Sequence, residues 1–186
     1  SVKYLYESGH REMAILAGPV SSVSANLRLR SWLDTLNSYG LKPVTVLHGN
    51  WDAQSGYACA LQMLRETPDF SAVLVGNDQM ALGVLSAFHQ HQVAIPGEKS
   101  VIGYDDTYES SFFYPALTTV SLDLDLQGKE AVRRILESDD NASSRTSSIL
   151  PARLVVRHST GAKVEQGKDM QAIAEQLRAI AHQLSR

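Results

Sequence analysis

The chain lacks the features that would place it outside the soluble globular proteins. It has one cysteine in 186 residues, so no internal disulfide can form and a disulfide-stabilised scaffold is excluded. No apolar run approaches the roughly 20 residues that a membrane-spanning helix needs. Positive charge is not in excess, because 17 Lys and Arg stand against 20 Asp and Glu. This balance does not indicate a nucleic-acid-binding surface on this part of the protein.

Motifs for metal, nucleotide or nucleophile chemistry are also lacking. The sequence has no H-x-x-x-H or cysteine cluster for a metal, and no G-x-S-x-G for a nucleophile. The turn at Gly18-Pro19 follows a strand and opens a helix, as a phosphate loop does, but neither phosphate-binding fingerprint is present. Cys59 lies in an apolar helical stretch, which indicates a buried thiol. We expect no cofactor, no metal and no enzymatic activity.

Short apolar strands and amphipathic helices alternate along the first part of the chain. The predicted strands are 13–17, 44–47, 72–75 and 100–104, and the helices between them end near residues 39, 66 and 91. Short connections and this alternation predict an α/β fold, a doubly wound parallel sheet. The four loops that follow these strands then lie together on one edge of the sheet, where such folds bind ligands.

The pattern changes after Pro115. We predict a strand over 117–122, a helix over 124–137, a mobile polar loop over 138–148 and a further strand within 149–160, which Pro151 confines to an edge or a bend. The first ten residues read as the end of a helix, without an initiator Met. We therefore expect a fragment of a larger fold.

The last residues carry a heptad pattern. After a linker at 161–168, apolar residues recur at spacings of three and four, which predicts a helix with a coiled-coil face. These residues are Met170, Ile173, Leu177, Ile180 and Leu184. The pattern favours self-association, and the alternative is a terminal helix that docks on the body of the same chain.

A set of polar residues is predicted at the ligand edge of the sheet. Arg28 falls one helical turn after Ser24, and Asn77 and Asp105 end two of the strands. Trp51 either packs inward or forms a flat wall on which a sugar ring can stack. Arg28 alone is equally typical of a surface ion pair. Such a set suits a neutral polyhydroxylated ligand, whose hydroxyls both donate and accept hydrogen bonds.

Two strands of the predicted sheet each end in a pair of adjacent polar residues, Asn77-Asp78 and Asp105-Asp106. Of Asn77 and Asp78, we assign Asp78 as the N-cap of the following helix, which leaves the Asn77 amide free for a ligand. Asp105 and Asp106 could indicate acid–base catalysis, but neighbours on an extended chain point in opposite directions and need not share a site.

Several runs resemble the lactose/galactose repressor family of bacterial transcription regulators. They are SGHR at 8–11, ILAGP at 15–19, VGNDQMALG at 75–83, VIGYDD at 101–106 and PALTTV at 115–120. The stretches 16–29 and 50–56 and the heptad tail are similar to lactose-responsive members of that family. The resemblance covers nearly the whole chain.

The resemblance implies a two-subdomain effector-binding core, akin to periplasmic sugar-binding proteins. Residues 1–121 and 152–160 would form its C-terminal subdomain, 122–151 a return into the N-terminal subdomain, 161–168 the linker and 169–186 the oligomerisation helix. The family's inducer contacts fall on Ser24, Arg28, Trp51, Asn77 and Asp105. The dimer interface falls on Leu82, Phe112 and Phe113, and the heptad helix implies a homotetramer.

The resemblance also implies what the protein does. It predicts a cytoplasmic repressor of a sugar-utilisation operon, induced by a β-galactoside-like sugar, that reaches operator DNA through a headpiece not contained in this chain. Leu122 and Leu124 replace a polar amide and an aromatic ring of lactose-responsive members, so the identity of the sugar stays open. The alternatives are a periplasmic sugar-binding protein of a transporter and an α/β enzyme acting on a sugar or nucleotide.

Overall fold

The computed structural model describes residues 1–137 and 149–163. The predicted mobile loop, most of the linker and the heptad helix lie outside the described residues. The strands are β1 Met13–Ala17, β2 Thr45–His48, β3 Ala72–Val75, β4 Ser100–Asp105, β5 Thr118–Leu122 and β6 Ala152–Val155. The helices are α1 Val2–Glu7, α2 Val23–Ser38, α3 Ala53–Glu66, α4 Asp78–Gln90 and α5 Leu124–Glu137, with a short 3-10 helix at Tyr108–Phe112.

The central strands are buried on both faces, which explains their uninterrupted apolar sequence. Side chains alternate across a strand, so Met13 and Ile15 of β1 pack with Trp32 of α2 on one face of the sheet. Ala14 and Leu16 point to the opposite face and pack with α3 and α4. The sheet is therefore the middle layer of three, with α1 and α2 on one side and α3 and α4 on the other.

The strand order is β2-β1-β3-β4-β5-β6. The first four strands pair in parallel, as predicted, and β5 also pairs in parallel with β4. Strand β6 pairs antiparallel to β5, with Thr119 opposite Val155 and Leu122 opposite Ala152. The sheet is thus mostly parallel with one antiparallel edge strand. That strand is shorter than the predicted segment and begins after Pro151, which has no N–H to donate.

Local signals place most of the helix ends. Ser22 and Asp52 cap α2 and α3, accepting hydrogen bonds from the backbone N–H groups of Ala25 and Ser55. Gly40 ends the turn after α2 at a φ of 69°, a conformation that favours glycine. Each of these residue types is favoured at its position by the local chemistry of helix ends.

Helices α3 and α4 approach closely at two glycines. A Cβ on Gly83 would lie 1.9 Å from the Ala53 carbonyl oxygen, and one on Gly56 would lie 2.1 Å from that of Met80. Real Cβ atoms do not approach oxygen this closely, so glycine at both positions allows the backbones to meet. This contact fixes the position of α4 over the sheet and hence of its first residues.

The last described residues return to the amino-terminal ends of the strands. The Ser159 hydroxyl donates to the Val101 carbonyl at 2.6 Å, and the His10 Nε2 lies 3.0 Å from the Gly161 carbonyl oxygen. Burial is the main cause that lowers the pKa of His10. The residues at 159–161 therefore pack against the same sheet as the first part of the chain.

Within the described part of the chain, no helix has both the length and the apolarity that crossing a membrane requires.

Candidate functional site

The candidate site lies at the carboxyl edge of the sheet, around the ends of β1 and β3. The chain runs from β1 outward to β2 and returns to β3 on the other side of β1, so the connections diverge between these strands. Diverging connections leave a crevice at the strand ends. The predicted residues approach this crevice from four elements: α2, the loop after β2, the start of α4 and the end of β4.

Arg28 is the central cation of the site. Its guanidinium donates to the Gly76 carbonyl, lies 3.5 Å from Asp105 Oδ1 and stacks 3.7 Å from the centroid of the Tyr104 ring. Charge-assisted hydrogen bonds are typically 2.7–2.9 Å long, so the pair with Asp105 is loose. The ion pair expected of Arg28 therefore exists, but its partner is another predicted site residue.

Trp51 forms a wall of the site. Its backbone has a φ of 71°, uncommon for a bulky residue, and its six-membered ring lies over Gly18. A Cβ at Gly18 would approach ring atom Cη2 to 2.3 Å. The Arg28 guanidinium carbon is 5.6 Å from the ring centroid. Trp51 is half-buried, so it both packs inward and presents indole surface at the edge.

Asn77 caps α4, and the assignment of that role to Asp78 was wrong. The Asn77 Oδ1 accepts from the Met80 N–H at 2.9 Å, while its Nδ2 donates to the Trp51 carbonyl at 2.9 Å. These bonds use one of the two lone pairs and one of the two amide hydrogens. The Asn77 side chain thus caps the start of α4 and also holds the Trp51 loop. Sequence does not distinguish the roles because both residues are good N-caps.

Asp78 is the first residue of α4 and is completely buried. Its Oδ1 accepts from the Thr119 hydroxyl at 2.6 Å, and its Oδ2 accepts from the Thr107 N–H at 2.9 Å. Burial raises the pKa of the Asp78 carboxyl, against the effect of these hydrogen bonds. Asp78 therefore connects the start of α4 to β5 and to the loop after β4.

Asp105 and Asp106 turn toward different cations, which agrees with the expectation that they need not share a site. Asp105 faces Arg28, whereas Asp106 accepts from Arg157 at 2.6 Å. We expected an extended chain at these two residues. Both instead have positive φ, 118° and 55°, so the chain is not extended there. Burial raises the pKa of Asp105; the Arg28 guanidinium opposes that shift and the Asp78 carboxylate adds to it.

Ser24 lies one turn before Arg28 on α2 and is exposed. Its hydroxyl is 3.1 Å from that of Ser22, which caps the helix. Arg28, Trp51, Asn77 and Asp105 are thus linked by direct contacts, and Ser24 borders them on the same helix. Leu122 ends β5, and Leu124 at the start of α5 is 68% exposed.

The predicted interface residues differ in exposure. Leu82 is partly exposed on α4, and Phe112 is 71% exposed with its ring centroid 5.4 Å from that of Tyr108. Phe113 is half-buried and packs against the core beneath α4. Two of the three therefore present apolar surface, and the third packs against the core.

Several contributors were not identified from sequence. Tyr104 lies under Arg28, Thr119 bonds Asp78, and Gly18 and Gly76 make room for the Trp51 ring. The two glycines that end neighbouring strands were the available signal for a large ring nearby. Among residues 1–137 and 149–163 no group of three His, Cys, Asp or Glu side chains is placed to hold a metal ion. The site offers a cation, carboxylate oxygens and an aromatic wall.

Comparisons with known proteins identify the family of the chain. The model of the periplasmic binding protein-like domain family matches residues 2–160. The chain is 45% identical over 183 residues to the lactose operon repressor of Klebsiella pneumoniae, covering 98% of this chain and 51% of that protein. It is 40% identical to the Escherichia coli lactose operon repressor, covering 100% of this chain and 51% of that protein.

A solved structure extends the agreement to three dimensions. The crystal structure of the lac repressor dimer bound to operator and an anti-inducer superposes with a TM-score of 0.83 at 41% identity, covering 87% of this chain and 56% of that one. The chain spans about half the length of the curated relatives it matches. The resemblance predicted from the sequence motifs is confirmed. The chain belongs to the periplasmic binding protein-like domain family, and it shares that fold with the lactose operon repressors.

Proposed function

We propose that this chain is the effector-binding and oligomerisation core of a transcriptional repressor of a sugar-utilisation operon. The observation that carries the proposal is the loose Arg28–Asp105 pair beside the Trp51 ring, at the divergence of β1 and β3. The similarity to lactose operon repressors supports a β-galactoside-like inducer. No catalytic role is part of this proposal.

The chemistry of the edge matches a sugar. Asp105 accepts hydrogen bonds from hydroxyl groups, Arg28 donates to hydroxyl oxygens, and the Trp51 ring suits the C–H face of a pyranose. The two charged groups are 3.5 Å apart, longer than a charge-assisted hydrogen bond, so each keeps capacity to bond a ligand hydroxyl. A ligand lacking a matching hydroxyl leaves a charged group unpaired, which is the source of selectivity. Ser24 and Asn77 supply further polar contacts at the border.

Inducer binding would act through a conformational equilibrium. The sugar favours the state with low operator affinity only if it binds that state more tightly. In the full-length protein an N-terminal headpiece would contact operator DNA in the cytoplasm. Residues 1–121 and 152–160 would form one subdomain, with 122–151 returning into the other and 161–168 leading to the helix at 169–186. Leu82, Phe112 and Phe113 would contribute to the dimer interface.

Trp51 provides a direct test of sugar binding. Titrating the full-length protein with methyl β-galactoside should change the emission of Trp51, because a stacked pyranose alters the surroundings of its ring. The chain has two tryptophans, and Trp32 is buried in the core, so the change should disappear in Trp51→Phe. Calorimetry that detects no binding would contradict a galactoside inducer. Binding without a spectral change would remove Trp51 from the wall.

Oligomerisation tests the role of the heptad residues. Replacing Leu177 and Leu184 by alanine should lower the molecular mass of the full-length protein in solution, because both occupy the apolar heptad face. The matched control replaces Gln171 and Arg178, which lie off that face, and should leave the mass unchanged. An unaltered mass for the leucine variant would favour a docked terminal helix.

A periplasmic sugar-binding protein of a transporter is the second candidate, because its domain belongs to the same fold family, although the relatives that match are repressors. It shares the sugar site but requires neither operator binding nor a tetramer. Gel-shift titration of the full-length protein with operator DNA, with and without sugar, separates the two. Sugar-dependent release of DNA supports the repressor.

A further inference from the structure

Strained backbone is concentrated where the ligand loops meet. Trp51, Asp105 and Asp106 have positive φ, and such residues persist only when surrounding contacts hold them. Two cations restrain the acidic side chains, Arg28 at Asp105 and Arg157 at Asp106. The backbone after them is restrained by Asp78, whose Oδ2 accepts from the Thr107 N–H at 2.9 Å.

The surroundings of Asp78 are built for a carboxylate. Its Oδ1 accepts from the Thr119 hydroxyl, and a further backbone hydrogen bond comes from Tyr104. Gly103, which pairs with Thr119 across β4 and β5, leaves the space that the carboxylate fills, because a Cβ there would lie 2.3 Å from Oδ1. Tyr104, directly before Asp105, and Thr107, two residues after it, therefore both bond to one buried side chain.

We propose that Asp78 is a positioning residue for ligand binding, which holds the 104–107 segment so that Asp105 faces Arg28 and the ligand. This inference rests on the proposed sugar-binding function. Asn77 does the same for the neighbouring loop through the Trp51 carbonyl. The N-cap and the first residue of α4 thus bond two of the ligand-bearing loops.

The test compares Asp78→Asn and Thr119→Val with Ser100→Ala in the full-length protein. An asparagine retains the size of Asp78 but has one acceptor oxygen, so it cannot serve all three donors. Thr119→Val removes one donor and spares the charge, which keeps the test open if Asp78→Asn does not fold. Ser100 is a buried hydroxyl at the opposite end of β4, where it bonds His10.

Affinity for methyl β-galactoside should fall about 10-fold or more in Asp78→Asn, less in Thr119→Val and not in Ser100→Ala, measured well below the unfolding temperatures. In Asp78→Asn, amide hydrogen exchange at Thr107 should accelerate without a matching increase in exchange across β1 and β3. The positioning role of Asp78 would be overturned by unchanged affinity together with unchanged exchange at Thr107. It would also be overturned by an exchange rate that rises equally at Thr107 and across β1 and β3. If the wild type binds no galactoside, the proposed ligand fails, and exchange at Thr107 still decides the role of Asp78.

Discussion

Replacing Asp105 by alanine should weaken methyl β-galactoside binding by about 100-fold, the largest effect expected at this site. A carboxylate that accepts from two sugar hydroxyls makes two charge-assisted bonds, each worth about 1.5–3 kcal/mol when measured by deletion. The variant also leaves Arg28 without the anion that it faces at 3.5 Å. Calorimetric titration of the full-length protein measures the loss, and gel shift with operator DNA should show loss of sugar-dependent release.

The affinity loss should not come from unfolding. The pKa of Asp105 is raised in the folded state, chiefly by burial, so above that pKa the ionised group makes folding less favourable. Asp105→Ala therefore removes a cost to folding. This gain in stability diminishes as the pH falls toward the pKa of the unfolded state, where Asp105 becomes protonated in the folded protein. Asp69→Ala is the matched control. Asp69 is exposed and lies just before β3 begins, at the end of the strand that is opposite the site. Equal affinities for both variants would remove Asp105 from the site.

Replacing Gly83 by alanine should lower the free energy of unfolding by about 3 kcal/mol, the largest effect expected on stability. The added Cβ would lie 1.9 Å from the Ala53 carbonyl oxygen and 2.6 Å from the Tyr57 nitrogen. Both are backbone atoms of α3 and cannot rotate away, so the two helices must separate. That movement opens the apolar layer beneath them, which includes Phe88 and Met63.

Gly128→Ala is the matched control for this substitution. Gly128 lies in α5, where an added Cβ meets nothing within 4 Å. Alanine is the better helix former, so this variant should gain about 0.5–1 kcal/mol. Urea unfolding of the two variants and the wild type gives both values. Equal shifts in the same direction would show that the close contact between α3 and α4 carries no energetic weight.

Most elements could be predicted from the chain itself. The strands β1 and β3 and helix α5 have the predicted bounds, because apolar runs and helical periodicity report burial directly. The caps of α2 and α3 follow a local rule, because serine and aspartate accept from free backbone N–H groups at a helix start. The assignment that failed, Asp78 as the cap of α4, involves a partner far along the chain, because Asp78 is bonded by Thr119. The antiparallel pairing of β6 with β5 was not predicted in either direction.

The sequence by itself determined the layered α/β architecture, the edge at which polar residues collect and the family to which the chain belongs. Local periodicity and short motifs carry that information, because burial and capping depend on neighbouring residues. Only the tertiary structure decided that Asn77 is the cap and that Asp78 is buried. It also decided that Trp51 rests on Gly18 and that Arg28 faces Asp105. These arrangements join residues from separate strands, and the choice between equally suitable side chains is made by which long-range partner reaches them.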